Sequence, residues 1–210
     1  MSASSAFTLR TMGSVARSAF TIAVLGVFAF CATAVAERLI GTPKPDRLVG
    51  SKGADFLNGR GGADLLIGRT GRDRLVGGPG NDVVRGRPGV DRLSGGRGAD
   101  KLLGETGKDR LLGQAGADTL IGAAAADRIQ GGAGDDRALG GPGPDIMTGG
   151  AGRDEFNVAA SGREAGAGGD DRIFARDGTE DLIDCGDGND VVVVDASEDG
   201  VFDCEEILEP

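Results

Sequence analysis

The chain has 210 residues, a net charge of −10, 40 glycines, few aromatic residues and no histidine. Without histidine, zinc proteases of the HExxH type and every His-based catalytic triad are excluded. The acidic balance argues against nucleic acid and against anionic membrane surfaces as partners.

Residues 1–36 contain Arg10 and Arg17 but no acid, then an apolar run from Ala19 to Phe30 and an Ala34-Val35-Ala36 sequence. This pattern predicts a secretory signal peptide cleaved after Ala36, and hence an extracellular protein without membrane contact after cleavage. An uncleaved anchor is the alternative, because residues 18–36 are mostly apolar and close to the shortest span that crosses a bilayer. Cys31 does not read as a lipidation site, since Phe30 stands where a small residue is needed. Removing residues 1–36 leaves 23 − 2 = 21 basic side chains against 33 acidic ones, a net of −12. Such a chain is suited to collecting cations.

After a short lead-in, residues 37–45, the sequence becomes periodic. Aspartates recur every nine residues at Asp46, Asp55, Asp64, Asp73, Asp82, Asp91, Asp100, Asp109, Asp118, Asp127, Asp136, Asp145 and Asp154. A glycine stands four residues after each of the first twelve. Another stands two residues before each from the second onward, with Ala125 the sole exception. Two residues after each aspartate comes Leu48, Leu57, Leu66, Leu75, Val84, Leu93, Leu102, Leu111, Leu120, Ile129, Ala138, Met147 or Phe156. A period this strict predicts a solenoid. Three residues such as 74–76 make a minimal strand with its middle side chain turned to one face. Glycines at two fixed positions suit a tight turn.

The segments Gly77-Gly78-Pro79-Gly80-Asn81-Asp82 and Gly131-Gly132-Ala133-Gly134-Asp135-Asp136 closely resemble the haemolysin-type (RTX) calcium-binding nonapeptide. The resemblance covers residues 46–157 and implies an all-β, right-handed parallel β-roll with two nonapeptides per 18-residue coil. It further implies calcium ions held between successive turns on each side. Two ladders then follow. Asp46, Asp64, Asp82, Asp100, Asp118, Asp136 and Asp154 line one edge; Asp55, Asp73, Asp91, Asp109, Asp127 and Asp145 line the other. Carboxylates about 5 Å apart repel by roughly 3 kcal/mol at an effective dielectric of 20. A hard divalent cation between them reverses that sign, and oxygen-only ligands favour calcium.

Several units depart from the family pattern. The second loop glycine is replaced by Ser51, Arg60, Arg69, Arg87, Glu105, Gln114 or Ala123, and the residue before the aspartate is mostly Ala, Arg or Lys. Cations follow many aspartates, at Arg47, Arg74, Arg92, Lys101, Arg110, Arg128 and Arg137. Arginines that neutralise the ladders without metal are therefore a second reading. Loop 122–127, with Ala125, is expected to be the weakest site, and the loops ending at Asp82 and Asp136 the strongest.

Residues 158–169 read as a loop or insertion. Residues 170–210 read as degenerate repeats around Asp171, Asp181 and Asp190, which join the candidate metal ligands, closed by a C-terminal cap. Cys185 and Cys204 are expected to form a disulfide there, two free thiols being the alternative.

The function this predicts is an exported calcium-binding β-roll, a monomer whose folding is coupled to calcium and which has no catalysis of its own. No GxSxG, Walker A or GxGxxG segment occurs. A calcium-rigidified adhesive or cell-envelope rod with a glycan partner is the alternative.

Overall fold

The computed structural model describes residues 35–156, 169–176, 181–185, 188–194, 200–202, 204 and 206–208. The expected signal peptide, apart from Val35 and Ala36, and the expected insertion at 158–169, apart from Gly169, lie outside the described residues.

Every regular element among the described residues is a strand, and all strands pair in parallel within two sheets. The first sheet stacks β1 (Arg38–Ile40), β3 (Phe56–Asn58), β5 (Arg74–Pro79), β7 (Arg92–Arg97), β9 (Arg110–Ala115), β11 (Arg128–Ala133), β13 (Ile146–Ala151), β15 (Arg172–Ala175), β17 (Val191–Val194) and β19 (Glu206–Leu208). The second stacks β2 (Arg47–Val49), β4 (Leu65–Ile67), β6 (Val83–Pro88), β8 (Lys101–Thr106), β10 (Thr119–Ala124), β12 (Arg137–Leu139), β14 (Glu155–Phe156), β16 (Leu182–Asp184) and β18 (Gly200–Phe202). The chain alternates between the sheets, so two units make one coil. This is a parallel β-roll.

Register follows from the period. In the first sheet Leu75 pairs Leu93, Leu93 pairs Leu111 and Leu111 pairs Ile129. In the second, Leu66 pairs Val84, Val84 pairs Leu102 and Leu102 pairs Leu120. These central side chains point between the sheets and none from Leu48 to Phe156 exceeds 3% exposure. The core is therefore a double column of single aliphatic side chains. Ala138 is its narrow rung, followed one coil later by the largest, Phe156.

The roll continues past the regular repeats. Met147 pairs Ile173, and Phe156 pairs Ile183. The separations are 173 − 147 = 26 and 183 − 156 = 27 residues, so the extra chain is absorbed without loss of register. The last strands join the same two sheets, β18 beside β16 and β19 beside β17. Cys185, buried, and Cys204 are joined by a disulfide with Cα atoms 5.3 Å apart.

The strands differ from sequence expectation in length. Seven successive units, β5 to β11, form six-residue strands, because the turn residues also pair from coil to coil. Gly78 pairs Gly96 and Pro79 pairs Arg97. Further round each turn, Gly80 N donates to Arg97 O at 2.7 Å, and Gly98 N donates to Ala115 O at 2.8 Å. The turns are themselves a stacked ladder. That stacking explains the glycine two residues before each aspartate. At Gly116 the backbone has φ 131°, and a Cβ would collide with the carbonyl of Gly98. From the third unit on, the second loop position is also left-handed, and it stays so when it is not glycine: Arg60, Arg69, Arg87, Glu105, Gln114 and Ala123 all have φ between 76° and 87°. Ala125 is held at φ 90°. Stacking thus overrides side-chain preference, at about 1 kcal/mol per strained residue.

Ala125→Gly is expected to raise the thermal midpoint by relieving about 1 kcal/mol of backbone strain. Gly116→Ala is expected to lower it by more, as the new methyl meets a fixed carbonyl. Thermal unfolding followed by circular dichroism compares the two; a fall for Ala125→Gly would contradict the strain argument.

Candidate metal centre

The aspartate of each unit sits at the end of a turn, immediately before its strand, with its side chain folded inward. From Asp55 to Asp154 these carboxyl groups are 1–3% exposed. Each is fixed from both sides of its own peptide. Its carbonyl accepts from the strand of the next coil, as when Lys101 N donates to Asp82 O at 2.8 Å. Its N–H donates to the carboxylate one coil further on: Asp64 N to Asp82 Oδ1, Asp82 N to Asp100 Oδ1 and Asp100 N to Asp118 Oδ1, each at 2.8 Å. The other edge repeats this through Asp55, Asp73, Asp91, Asp109, Asp127 and Asp145.

The expected partition into two edges is what the structure contains. It also places the irregular aspartates. Asp145 N donates to Asp171 Oδ1 and Asp171 N to Asp190 Oδ1, so both lie on the Asp55 edge. Asp154 N donates to Asp181 Oδ1, which puts Asp181 on the Asp46 edge.

One oxygen of each carboxylate is thus satisfied. The other is not. From Asp64 to Asp145, all ten Oδ2 atoms are buried with no hydrogen-bond partner. They face the glycine that opens their own turn, and at that point a second oxygen converges. A Cβ on Gly113 would collide with Asp118 Oδ2 and lie 2.6 Å from the carbonyl oxygen of Gly131, one coil on. A Cβ on Gly68 would meet Asp73 Oδ2 and lie 2.8 Å from Gly86 O. Side-chain and backbone oxygens therefore gather at each turn where only glycine leaves room.

Burial dominates the protonation of these groups. It pushes Asp82 up to about 6, Asp91, Asp100, Asp127 and Asp136 to about 7, and Asp145 to about 8. The backbone hydrogen bond at Oδ1 opposes this rise, and the neighbouring carboxylates of the ladder add to it. A row of anions with one bare oxygen each is unfavourable in a dry interior. It calls for protons or a cation.

A model of the RTX calcium-binding nonapeptide repeat, in four copies, matches the chain at residues 40–75, 67–102, 94–129, 103–138 and 121–156. The chain belongs to this RTX repeat family. No curated protein matches it.

The donor set of the RTX roll fits the family's calcium. It consists of oxygen only, with a hard carboxylate beside backbone carbonyls. Among the described residues no three acidic or cysteine side chains form a metal-binding group by themselves. Backbone carbonyls would have to complete any coordination shell.

Four of the cations that follow the aspartates do not neutralise the ladders. Arg74, Arg92, Arg110 and Arg128 each begin a strand on its solvent face and make no ion pair with a ladder aspartate among the described residues. Two of the residues that precede an aspartate have a structural task. Asn81 Oδ1 accepts from Ala99 N at 3.0 Å, and Asp135 Oδ1 accepts from Arg153 N at 3.0 Å. Both sew one coil to the next, in the two loops that sequence marks as strongest. Loop 122–127 keeps the common turn geometry, with Ala123 N donating to Gly140 O and Ala125 N to Pro142 O.

Two residues in the first described coil have a role that escaped sequence reasoning. Thr42 N donates to Asp46 Oδ2 at 2.5 Å, and Thr42 Oγ1 donates to the same atom at 2.9 Å. Ser51 N donates to Asp55 Oδ2 at 2.6 Å, and Ser51 Oγ lies 3.0 and 3.1 Å from the two carboxylate oxygens. Neither Thr42 nor Ser51 is left-handed, unlike the residues at this position in the units that follow. A hydroxyl four residues before an aspartate was the available signal.

Acidification is expected to stabilise the metal-free roll. Burial raises Asp91, Asp100 and Asp127 from 3.8 to about 7 in the fold, so the fold binds more protons between those values. Stability in chelator then falls as pH rises from about 4 to about 8 and is fully present below about 4. Denaturant unfolding in EGTA at several pH values measures this, and a rise in stability across that range would contradict it.

Proposed function

We propose that the chain is an exported calcium-binding β-roll, with folding completed by the metal and no catalysis of its own. The observation that carries this reading is the column of bare Oδ2 atoms. A buried carboxylate with one oxygen paired and one unpaired is half of a site, and stacking repeats it once per coil on each edge. Asp64, Asp73, Asp82, Asp91, Asp100, Asp109, Asp118, Asp127, Asp136 and Asp145 would be the principal ligands, with glycine carbonyls of adjacent turns. Asp154, Asp171, Asp181 and Asp190 continue the same ladders. Calcium would supply positive charge between groups that otherwise repel.

Asp46 and Asp55 stand apart. Hydroxyl and N–H donors already occupy their second oxygens, so these two units would serve as a metal-free end to the roll. Export follows from the apolar N-terminal sequence, and it supports a calcium-timed fold. The chain stays open where calcium is scarce and closes where it is abundant. The glycine content makes this coupling strong, since each glycine costs more entropy to order than other residues. Metal affinity is then folding free energy.

Asp118→Asn separates charge from packing. Its amide oxygen can still accept from Asp100 N, while its NH₂ faces the carbonyl of Gly131 and needs no ion. Together with Asp100→Asn it is expected to lower the calcium stoichiometry in calorimetry. In EGTA the same pair is expected to fold as well as the parent or better. Unchanged calcium binding would sink the ligand assignment. A circular dichroism spectrum equally rich in β-structure in EGTA and in millimolar calcium at neutral pH would sink the coupling of folding to metal.

A further inference from the structure

The first position of each strand carries a cation far more regularly in one sheet than in the other. In the first sheet Arg74 pairs Arg92, Arg92 pairs Arg110 and Arg110 pairs Arg128. All four are exposed. Arg72 and Lys108, also exposed, flank this column on the turn side. In the second sheet the equivalent positions run Arg47, Leu65, Val83, Lys101, Thr119 and Arg137, and no two cations are neighbours. The nonapeptide itself demands neither arrangement.

Four guanidinium groups in register, one per strand, repel along the whole column. Cross-strand pairs of like charge destabilise a sheet. No acid lies in the strands of the first sheet from β3 to β13 to relieve them. Two shallow grooves run along this face. One, of about 360 Å³, is bounded by Arg72, Arg92, Lys108, Arg110 and Arg128. The other, of about 450 Å³, is bounded by Arg74, Arg92, Arg110, Ser94 and Gln114. At the N-terminal end of the column Phe56 lies between Arg38 and Arg74, whose guanidinium carbons are 5.4 and 5.9 Å from its ring centre.

We propose that this face binds a linear acidic polysaccharide, with the arginine column gripping successive sugar carboxylates. Arginine forms paired hydrogen bonds to carboxylate, and its charge is permanent. The strands repeat about every 4.8 Å, close to the length of one hexose in an extended chain, so one uronate per coil can meet one arginine per coil. Single-stranded nucleic acid fits less well, because such binding relies on rows of aromatic platforms. Here the central strands of the face, β5 to β13, carry none. The net negative charge of the chain is no obstacle, since many of its acids are the buried ladder. Asp91, Asp109 and Asp127 form the floor of the first groove. Their neutralisation by calcium is the one point at which this proposal rests on the function proposed above.

The test uses the whole chain in excess calcium, with calcium binding measured first by calorimetry so that failure of either proposal is seen separately. The probes are a hexuronate, a neutral hexaglucan and a single-stranded oligodeoxynucleotide. The hexuronate is expected to bind, more weakly as salt rises, and the neutral oligomer to bind far less. Arg92→Gln with Arg110→Gln is expected to weaken hexuronate binding on the order of tenfold, while Arg47→Gln with Lys101→Gln leaves it unchanged. Without ligand, the Arg92/Arg110 variant is expected to melt no lower than the parent, since it removes repulsion. Equal hexuronate affinity in that variant, equal binding of the neutral oligomer, tighter binding of the oligodeoxynucleotide, or a lower melting point would each overturn the proposal.

Discussion

The hydrogen bond from one aspartate's N–H to the next coil's carboxylate governs this molecule. It fixes the spacing of the coils and draws each carboxylate into the dry side of the turn. It also uses one oxygen and leaves the other facing glycine. The apolar column is only one side chain wide in each sheet, and it packs beside one buried carboxyl group per unit. The acid and the glycine of the chain's composition meet at these turns.

Much of the architecture was legible in the sequence because a single periodicity encodes it. The nine-residue spacing of Asp64, Asp73 and Asp82 gave two edges as soon as a coil was taken as two units. The alternating Leu66, Leu75 and Val84 gave the two sheets. Asp171, Asp181 and Asp190 could be named as repeat members, though not assigned to edges. The edges depend on how many residues an intervening segment adds, and spacing alone does not say whether that segment lies within a coil.

What the sequence hid were effects of stacking. Arg60 and Arg87 look like broken glycine positions, yet each keeps the left-handed backbone of the stacked turn, and Arg87 pairs with Glu105 one coil on. Arginine beside aspartate looks like a salt bridge when read along the chain. Adjacent residues in a strand point to opposite faces, and a carboxylate turned inward cannot meet a guanidinium turned outward. The hydroxyls of Thr42 and Ser51 look like ordinary loop substitutions. Only their contact with Asp46 and Asp55 shows a different way of ending the row.

A unit of nine residues inside a coil of eighteen has an arithmetical consequence for how such a chain can change. Gain or loss of one nonapeptide would exchange the faces for every residue downstream, moving Arg110 and Arg128 to the opposite wall and breaking their alignment with Arg74 and Arg92. Gain or loss of two would lengthen or shorten the cylinder and leave its sidedness intact. Descent by duplication is consequently free in even steps and costly in odd ones, and a one-sided surface is a record of that parity.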